Sequence, residues 1–377
     1  MTIQPAEHSH PHDHQHPHEH SHPHEHRHPH ETSQSAREHD HPHPHGQPRG
    51  LVNRRTLLGA GGLGLGAMLL AACTPTALVS TATPSAVAPS VTPTATPSAT
   101  AAASPTLAGF DEFADTVRTF LNGEYWMVES TGLPAHSMMV GITSWQQQFP
   151  LPQPFIGDNA FRLPVTPQLA ATPVSARTGL FRGAIALAVN GVPIFNALNN
   201  RGDDAFLAGE LDQWGGHCGK ADDYHYHVAP LHLQDAVGAA KPIAYALDGY
   251  AIYGLTEPDG RAVAALDEFN GHTNASGLYH YHGTQAYPYI NGGLVGVVGV
   301  SGDGVDTQPN TPPIRPPGEP LRGATITGFE SLGAGSYRLD YTLDGETLQV
   351  AYQVTDAEVA FTFSDATGVT RTETYSR

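Results

Sequence analysis

The chain has 377 residues, with 18 basic against 36 acidic side chains and only two lysines, Lys220 and Lys241. So acidic a balance lacks the electrostatic footprint needed to follow a phosphate backbone, which argues against nucleic-acid binding. Two cysteines, Cys73 and Cys218, are too few for a disulfide framework.

Residues 1–50 read as a disordered tail. Sixteen histidines lie between His8 and His45, mostly in His-Pro, His-Glu and His-Ser pairs. Almost no apolar side chain is present to offset the entropy of ordering such a segment. It is either a metal-buffering tail or a segment removed, or never made, in the working protein. Residues 51–73 follow a different logic. Asn53-Arg54-Arg55-Thr56-Leu57-Leu58 leads into a glycine-rich apolar stretch ending at Leu70-Ala71-Ala72-Cys73. That stretch is too short to cross about 30 Å of hydrocarbon comfortably and suits the apolar region of a signal peptide. Arg54 and Arg55 resemble a twin-arginine export signal, and Leu-Ala-Ala-Cys resembles a bacterial lipobox. The resemblance implies export, lipidation of Cys73 and attachment to a membrane through that lipid. Residues 74–107, nearly all Thr, Ala, Ser, Pro and Val, read as an extended stalk.

Residues 108–300 read as the principal domain, with a helix expected only near Phe110 to Leu121. Its main feature is an internal repeat, about 185–230 and 243–290. Leu211-Asp212-Gln213-Trp214-Gly215-Gly216-His217 precedes Tyr224-His225-Tyr226-His227, and Leu266-Asp267-Glu268-Phe269-Asn270-Gly271-His272 precedes Tyr279-His280-Tyr281-His282, each position displaced by 55. Upstream, Ala188-Val189-Asn190-Gly191-Val192-Pro193-Ile194-Phe195 parallels Ala246-Leu247-Asp248-Gly249-Tyr250-Ala251-Ile252-Tyr253. Apolar runs flanking Asn-Gly or Asp-Gly are the signature of a β-hairpin.

Alternation along a strand places His225 and His227 on one face and Tyr224 and Tyr226 on the other. His217, arriving from the preceding turn, completes a set of three imidazoles, and His272, His280 and His282 repeat it. Three nitrogen donors with an open position suit zinc or copper. Asp212 and Asp267 are expected to orient the ligand histidines, or to be ligands themselves. Spacing leaves open whether the six histidines form two sites, one shared site or a dinuclear pair. It also leaves open the plainer reading of histidines satisfied within polar networks. His136 is a weaker candidate ligand. His232 has no counterpart in the second repeat. Cys218 is another weaker candidate, either a thiolate favouring zinc or Cu(I) or an inert, partly buried thiol.

The paired Tyr-His-Tyr-His motifs, the Gly-His before each and the intervening Asp248-Gly249-Tyr250-Ala251-Ile252-Tyr253-Gly254 resemble the YHYH-domain family of bacterial exported proteins. The resemblance runs from about Ser130 to Gly296. It includes Gly132-Leu133-Pro134-Ala135-His136 and Tyr287-Pro288-Tyr289. It carries no assigned activity with it. Many members of that family have a cysteine before the first Gly-His, whereas here Cys218 follows His217.

Residues 301–320, rich in Pro, Gly, Asp and Thr, read as a linker. Beyond it, Tyr337–Leu343, Thr347–Tyr352, Val359–Phe363 and Val369–Tyr375 alternate as a four-stranded antiparallel meander in a small β domain, 321–377. The fold expected is therefore mainly β: a duplicated hairpin-plus-histidine-strand core followed by that meander. The function expected first is an exported, lipid-anchored protein that binds, stores or delivers copper or zinc. A metal-dependent hydrolase or copper oxidase, with Asp212, Asp248 or Asp267 as base or orienting group, is the second reading. A surface scaffold with structural histidines is the third. No serine-nucleophile elbow, phosphate loop or dinucleotide fingerprint is present.

Overall fold

The computed structural model describes residues 105–377, apart from Ser144. The readings of residues 1–50, of 51–73 with Arg54, Arg55 and Cys73, and of most of the stalk lie outside the described residues. The fold is mainly β. Only a single turn of α-helix, Gln234–Val237, occurs among the described residues, beside three short 3-10 turns.

The helix expected near Phe110 to Leu121 is corrected. Phe110–Phe113 makes one 3-10 turn, and the chain then enters β1 (Arg118–Asn122). Phe110 is fully buried and anchors that turn. The bend at Gly123, with φ of 61°, reverses the chain into β2 (Tyr125–Glu129). β3 (Phe161–Pro164) completes a three-stranded antiparallel sheet.

After β4 (Leu169–Ser175), eight strands form the central sheet. The first repeat supplies β5 (Ala184–Ala188), β6 (Pro193–Phe195), β7 (Gly216–Cys218) and β8 (Tyr224–Tyr226). The second supplies β9 (Ala244–Ala246), β10 (Ala251–Tyr253), β11 (Gly271–Thr273) and β12 (Tyr279–His282). The strand order is β11-β12-β10-β9-β5-β6-β8-β7. Each repeat thus contributes one half of the sheet in the same internal order, and the halves meet where β5 pairs antiparallel with β9.

Both predicted hairpins are present. Gly191 N–H donates to the Ala188 carbonyl at 2.9 Å, and Gly249 N–H donates to Ala246 at 2.9 Å. At these turns φ is 81° for Gly191 and 92° for Gly249, a region costly for any residue with a Cβ. The two inner strands are fully buried, which explains their alanine-rich sequence: small side chains let other elements cover both faces closely.

β13 (Gly293–Gly296) returns to pair with β4, and β14 (Gly299–Ser301) and β15 (Gly304–Asp306) form a short hairpin that runs into the segment read as a linker. The C-terminal meander has five strands: β16 (Thr325–Gly333), β17 (Ser336–Leu343), β18 (Glu346–Val354), β19 (Glu358–Asp365) and β20 (Gly368–Ser376). The four read from alternation are β17 to β20. β16 escaped because its Gly328, Ser331 and Gly333 interrupt the period, and its pairing carries two register shifts. Tyr341 of the meander packs edge-on against Trp145 and Phe361 packs at a tilt against Phe149, with ring centroids 5.0 Å apart in both pairs. No helix among the described residues is long and apolar enough to cross a membrane.

Candidate metal centres

Strand register assembles each histidine set. His217 on β7 lies directly opposite His225 on β8, and His272 on β11 directly opposite His280 on β12. His227 and His282 follow two residues on and so share the same face. The glycine before each pair is required by packing. A Cβ on Gly216 would stand 2.5 Å from the Tyr224 hydroxyl, and one on Gly271 would stand 2.2 Å from that of Tyr279. The tyrosines of the motif thus lie across the glycines on one face, leaving the imidazoles the other.

In the first set the three Nε2 atoms converge. His225 Nε2 is 3.2 Å from His227 Nε2, which is 3.0 Å from His217 Nε2. In two of the three the other ring nitrogen is committed: His225 Nδ1 donates to the Asp223 carbonyl at 2.9 Å and His227 Nδ1 to the Asn196 carbonyl at 2.5 Å. A neutral imidazole that donates from Nδ1 has only a lone pair at Nε2. Facing lone pairs about 3 Å apart cannot hydrogen-bond to each other, whereas a shared cation satisfies all of them. Nitrogens bound at about 2.05 Å around a tetrahedral ion lie roughly 3.3 Å apart, close to the spacings found. Phe195 stacks on His225 at 3.8 Å between centroids and fixes its plane.

The second set repeats this arrangement with one addition. His272 Nε2 is 3.0 Å from His280 Nε2, and His282 Nδ1 donates to the Gly254 carbonyl at 2.9 Å. His282 Nε2 is buried with no hydrogen-bond partner. Glu257 closes over the cluster, its carboxylate oxygens 3.0 Å from His272 Nε2, 3.3 Å from His280 Nε2 and 3.7 Å from His282 Nε2. The groups that could hold an ion are therefore His217, His225 and His227, and separately Glu257, His272, His280 and His282. Five strand spacings separate β8 from β12, roughly 24 Å at about 4.8 Å each, so the two sets are distinct sites rather than one dinuclear centre.

Burial disfavours the charged form of His217, His227 and His282. Burial, reinforced by His225, pushes His227 down to about 3. Burial holds His217 well below its ordinary value, with His227 and His225 adding to the effect. Burial also lowers His282. Burial raises the Glu257 carboxyl, but the Ala264 N–H and the neighbouring histidines outweigh it and hold the group below its usual range.

The other candidates sit elsewhere. Asp212 was expected behind the histidines; instead it accepts bonds from Tyr224 Oη at 2.8 Å and from the N–H groups of Met139, Trp214 and Gly216. Asp267 does the same for Tyr279, Phe269 and Gly271. Each carboxylate pins its turn to a tyrosine, and the orienting role falls to backbone carbonyls. Asp248 is fully buried and accepts from Tyr281 Oη at 2.6 Å and Gly296 N–H at 2.8 Å. None of the three contacts a histidine of either set. His136 also lies on the tyrosine side, its Nδ1 donating to the Ser137 carbonyl at 2.9 Å and its Nε2 accepting from Tyr226 Oη at 2.7 Å. Cys218 follows His217 on the same strand and so faces the opposite way, its N–H donating to Met139 Sδ at 3.1 Å, while burial pushes its thiol well up.

Glu257 is the residue that reading from the motifs missed. A signal existed. The hairpin repeat, displaced by 58, continues past Phe195 and Tyr253 and pairs Asn199 with Glu257. The structure bears out the equivalence, since Leu198 bridges Asp204 just as Thr256 bridges Ala262.

Residues 160–263 match the family model described as YHYH protein. The match covers the first histidine set and ends before His272. No curated protein and no solved structure matches the chain.

Proposed function

We propose that the chain is an exported metal-binding protein, held to a membrane by a lipid on Cys73, that binds copper or zinc at two separate histidine centres for storage or delivery. One observation carries the metal reading. Each set brings imidazole nitrogens to about 3 Å spacing while carbonyls occupy the Nδ1 positions of His225, His227 and His282. A scaffold with structural histidines has no use for buried lone pairs aimed at one another, and His282 Nε2 is left without any partner. Imidazole suits both zinc and copper, and an added carboxylate is a common fourth donor for zinc. Export rests on the resemblance of Arg54-Arg55 and of the segment before Cys73 to known signals.

The test is elemental analysis of protein beginning after the histidine-rich tail. Two equivalents of metal are expected. His225→Ala and His280→Ala should each remove one and leave the other. Metal content unchanged in both variants would refute the ligand assignment.

An enzymatic reading is favoured by one feature, the absence of a carboxylate among the groups gathered at His217, His225 and His227. A metal held by three protein donors has room to activate a bound water. Asp212, Asp248 and Asp267 are engaged elsewhere and would not supply the base.

A further inference from the structure

The two centres share a scaffold but differ in the loop that follows the first hairpin of each repeat. Glu257 opens one such loop: its N–H donates to the Arg261 carbonyl at 3.0 Å and its own carbonyl accepts from Gly260. Asn199 opens the other with the same bonds, to Asp203 at 2.8 Å and from Gly202 at 2.9 Å. Backbone geometry is therefore conserved between the halves, and only the side chain changes.

That change decides the donor count. The Glu257 carboxylate reaches over the histidines and supplies a fourth ligand atom. Asn199 cannot do so. Its Oδ1 accepts from Arg201 N–H at 2.9 Å and from Asp203 N–H at 3.1 Å, and so is spent on its own turn. Its Nδ2 donates to the Glu210 carboxylate at 3.3 Å. Glu210 in turn is ion-paired with Arg201, which also pairs with the Asp203 carboxylate of the same loop. A cavity of about 30 Å³, lined in part by Glu210, His217, Cys218 and Met139, adjoins the first centre, enough for a water-sized guest.

We infer that the centres are chemically unequal: the Glu257 centre encloses a divalent cation with four protein donors, whereas the His217–His225–His227 centre leaves one coordination position for a small exogenous anion. This rests on the metal-binding reading above. Three neutral donors leave a divalent ion with its full charge. An incoming anion relieves it. At the second centre Glu257 already provides that negative charge, and a further ligand would have to displace it.

The experiment uses the full chain loaded with Co²⁺ and titrated with azide, following the cobalt absorption. Each variant is read as a difference from the parent, so that the amino-terminal histidines cancel. His225→Ala should abolish one azide-responsive equivalent, and His280→Ala should leave it intact. Glu257→Ala should add a second azide-responsive equivalent, a gain that misfolding cannot produce. An azide response insensitive to His225→Ala, or no gain on Glu257→Ala with cobalt still bound, would overturn the inequality. Cobalt uptake unaffected by both histidine variants would instead refute the metal reading itself.

Discussion

Leu187 and Tyr245 face each other across the antiparallel β5–β9 pair, and each is the other's counterpart in the repeat. On either side, Ala186 pairs with Ala246 and Ala188 with Ala244, so equivalent residues exchange places about a local twofold. The duplicated unit is thus joined through itself. This seam is dry, with Leu187 fully buried. Leu187→Ala should destabilise the domain by about 2–5 kcal/mol, the usual cost of a core cavity, read from urea unfolding. A loss below about 1 kcal/mol would mean that the seam does not hold the halves together.

The Gly-His element predicts a steric test. Gly216→Ala and Gly271→Ala should each cost about 1–3 kcal/mol by overpacking against Tyr224 and Tyr279. Both should weaken metal binding at their own centre only. Combining Gly271→Ala with Tyr279→Ala removes the tyrosine part of the clash, leaving the His280 carbonyl oxygen at 2.7 Å, and should restore part of the metal affinity. An equal loss in single and double variants would show that the tyrosine is not the obstacle.

Arg315 tests whether residues 301–320 act only as a linker. Its guanidinium grips the Asp222 carboxylate through two 2.6 Å bonds and donates to the Gln147 carbonyl, with side-chain exposures of 9% for Arg315 and 2% for Asp222. Arg315→Ala leaves a buried carboxylate without its partner and should cost about 3–5 kcal/mol. The paired change Asp222→Asn with Arg315→Met should cost less than the single variant. The measurement is the unfolding midpoint of all three proteins.

A pH test follows from His136 and His232, whose rings lie 5.2 Å apart against Trp214 on the tyrosine side of the sheet. Burial lowers His136, and burial together with His136 pushes His232 down to about 4. At neutral pH both are uncharged folded and unfolded and contribute nothing to the pH dependence. Below about 6.5 the unfolded chain takes up protons that the folded one refuses, so stability should fall with pH. The decline due to His232 should level off near 4. In His232→Leu the urea midpoint should drop less between pH 7 and pH 4.5 than in the parent. A steeper drop would reverse the assignment.

What could be read along the chain was whatever depends on neighbours in sequence. Period-2 alternation alone put His225 with His227 and His280 with His282, because a strand allows no other arrangement. Asn190-Gly191 and Asp248-Gly249 announced their hairpins through a backbone geometry that glycine tolerates, and the meander from Tyr337 onward showed itself in its own alternation. The roles of Asp212, Asp267, His136 and Cys218 depend instead on which face of the sheet each reaches, and that emerges only once β7 and β8 pair. Glu257 is the clearest case. It stands 15 residues before His272 in the chain, and only the path of its loop through space carries the carboxylate onto the imidazoles. Asn199 follows the same path but turns its oxygen back onto the Arg201 and Asp203 N–H groups, a local difference of side chain whose effect on the donor count appears only once the loop is folded over the histidines.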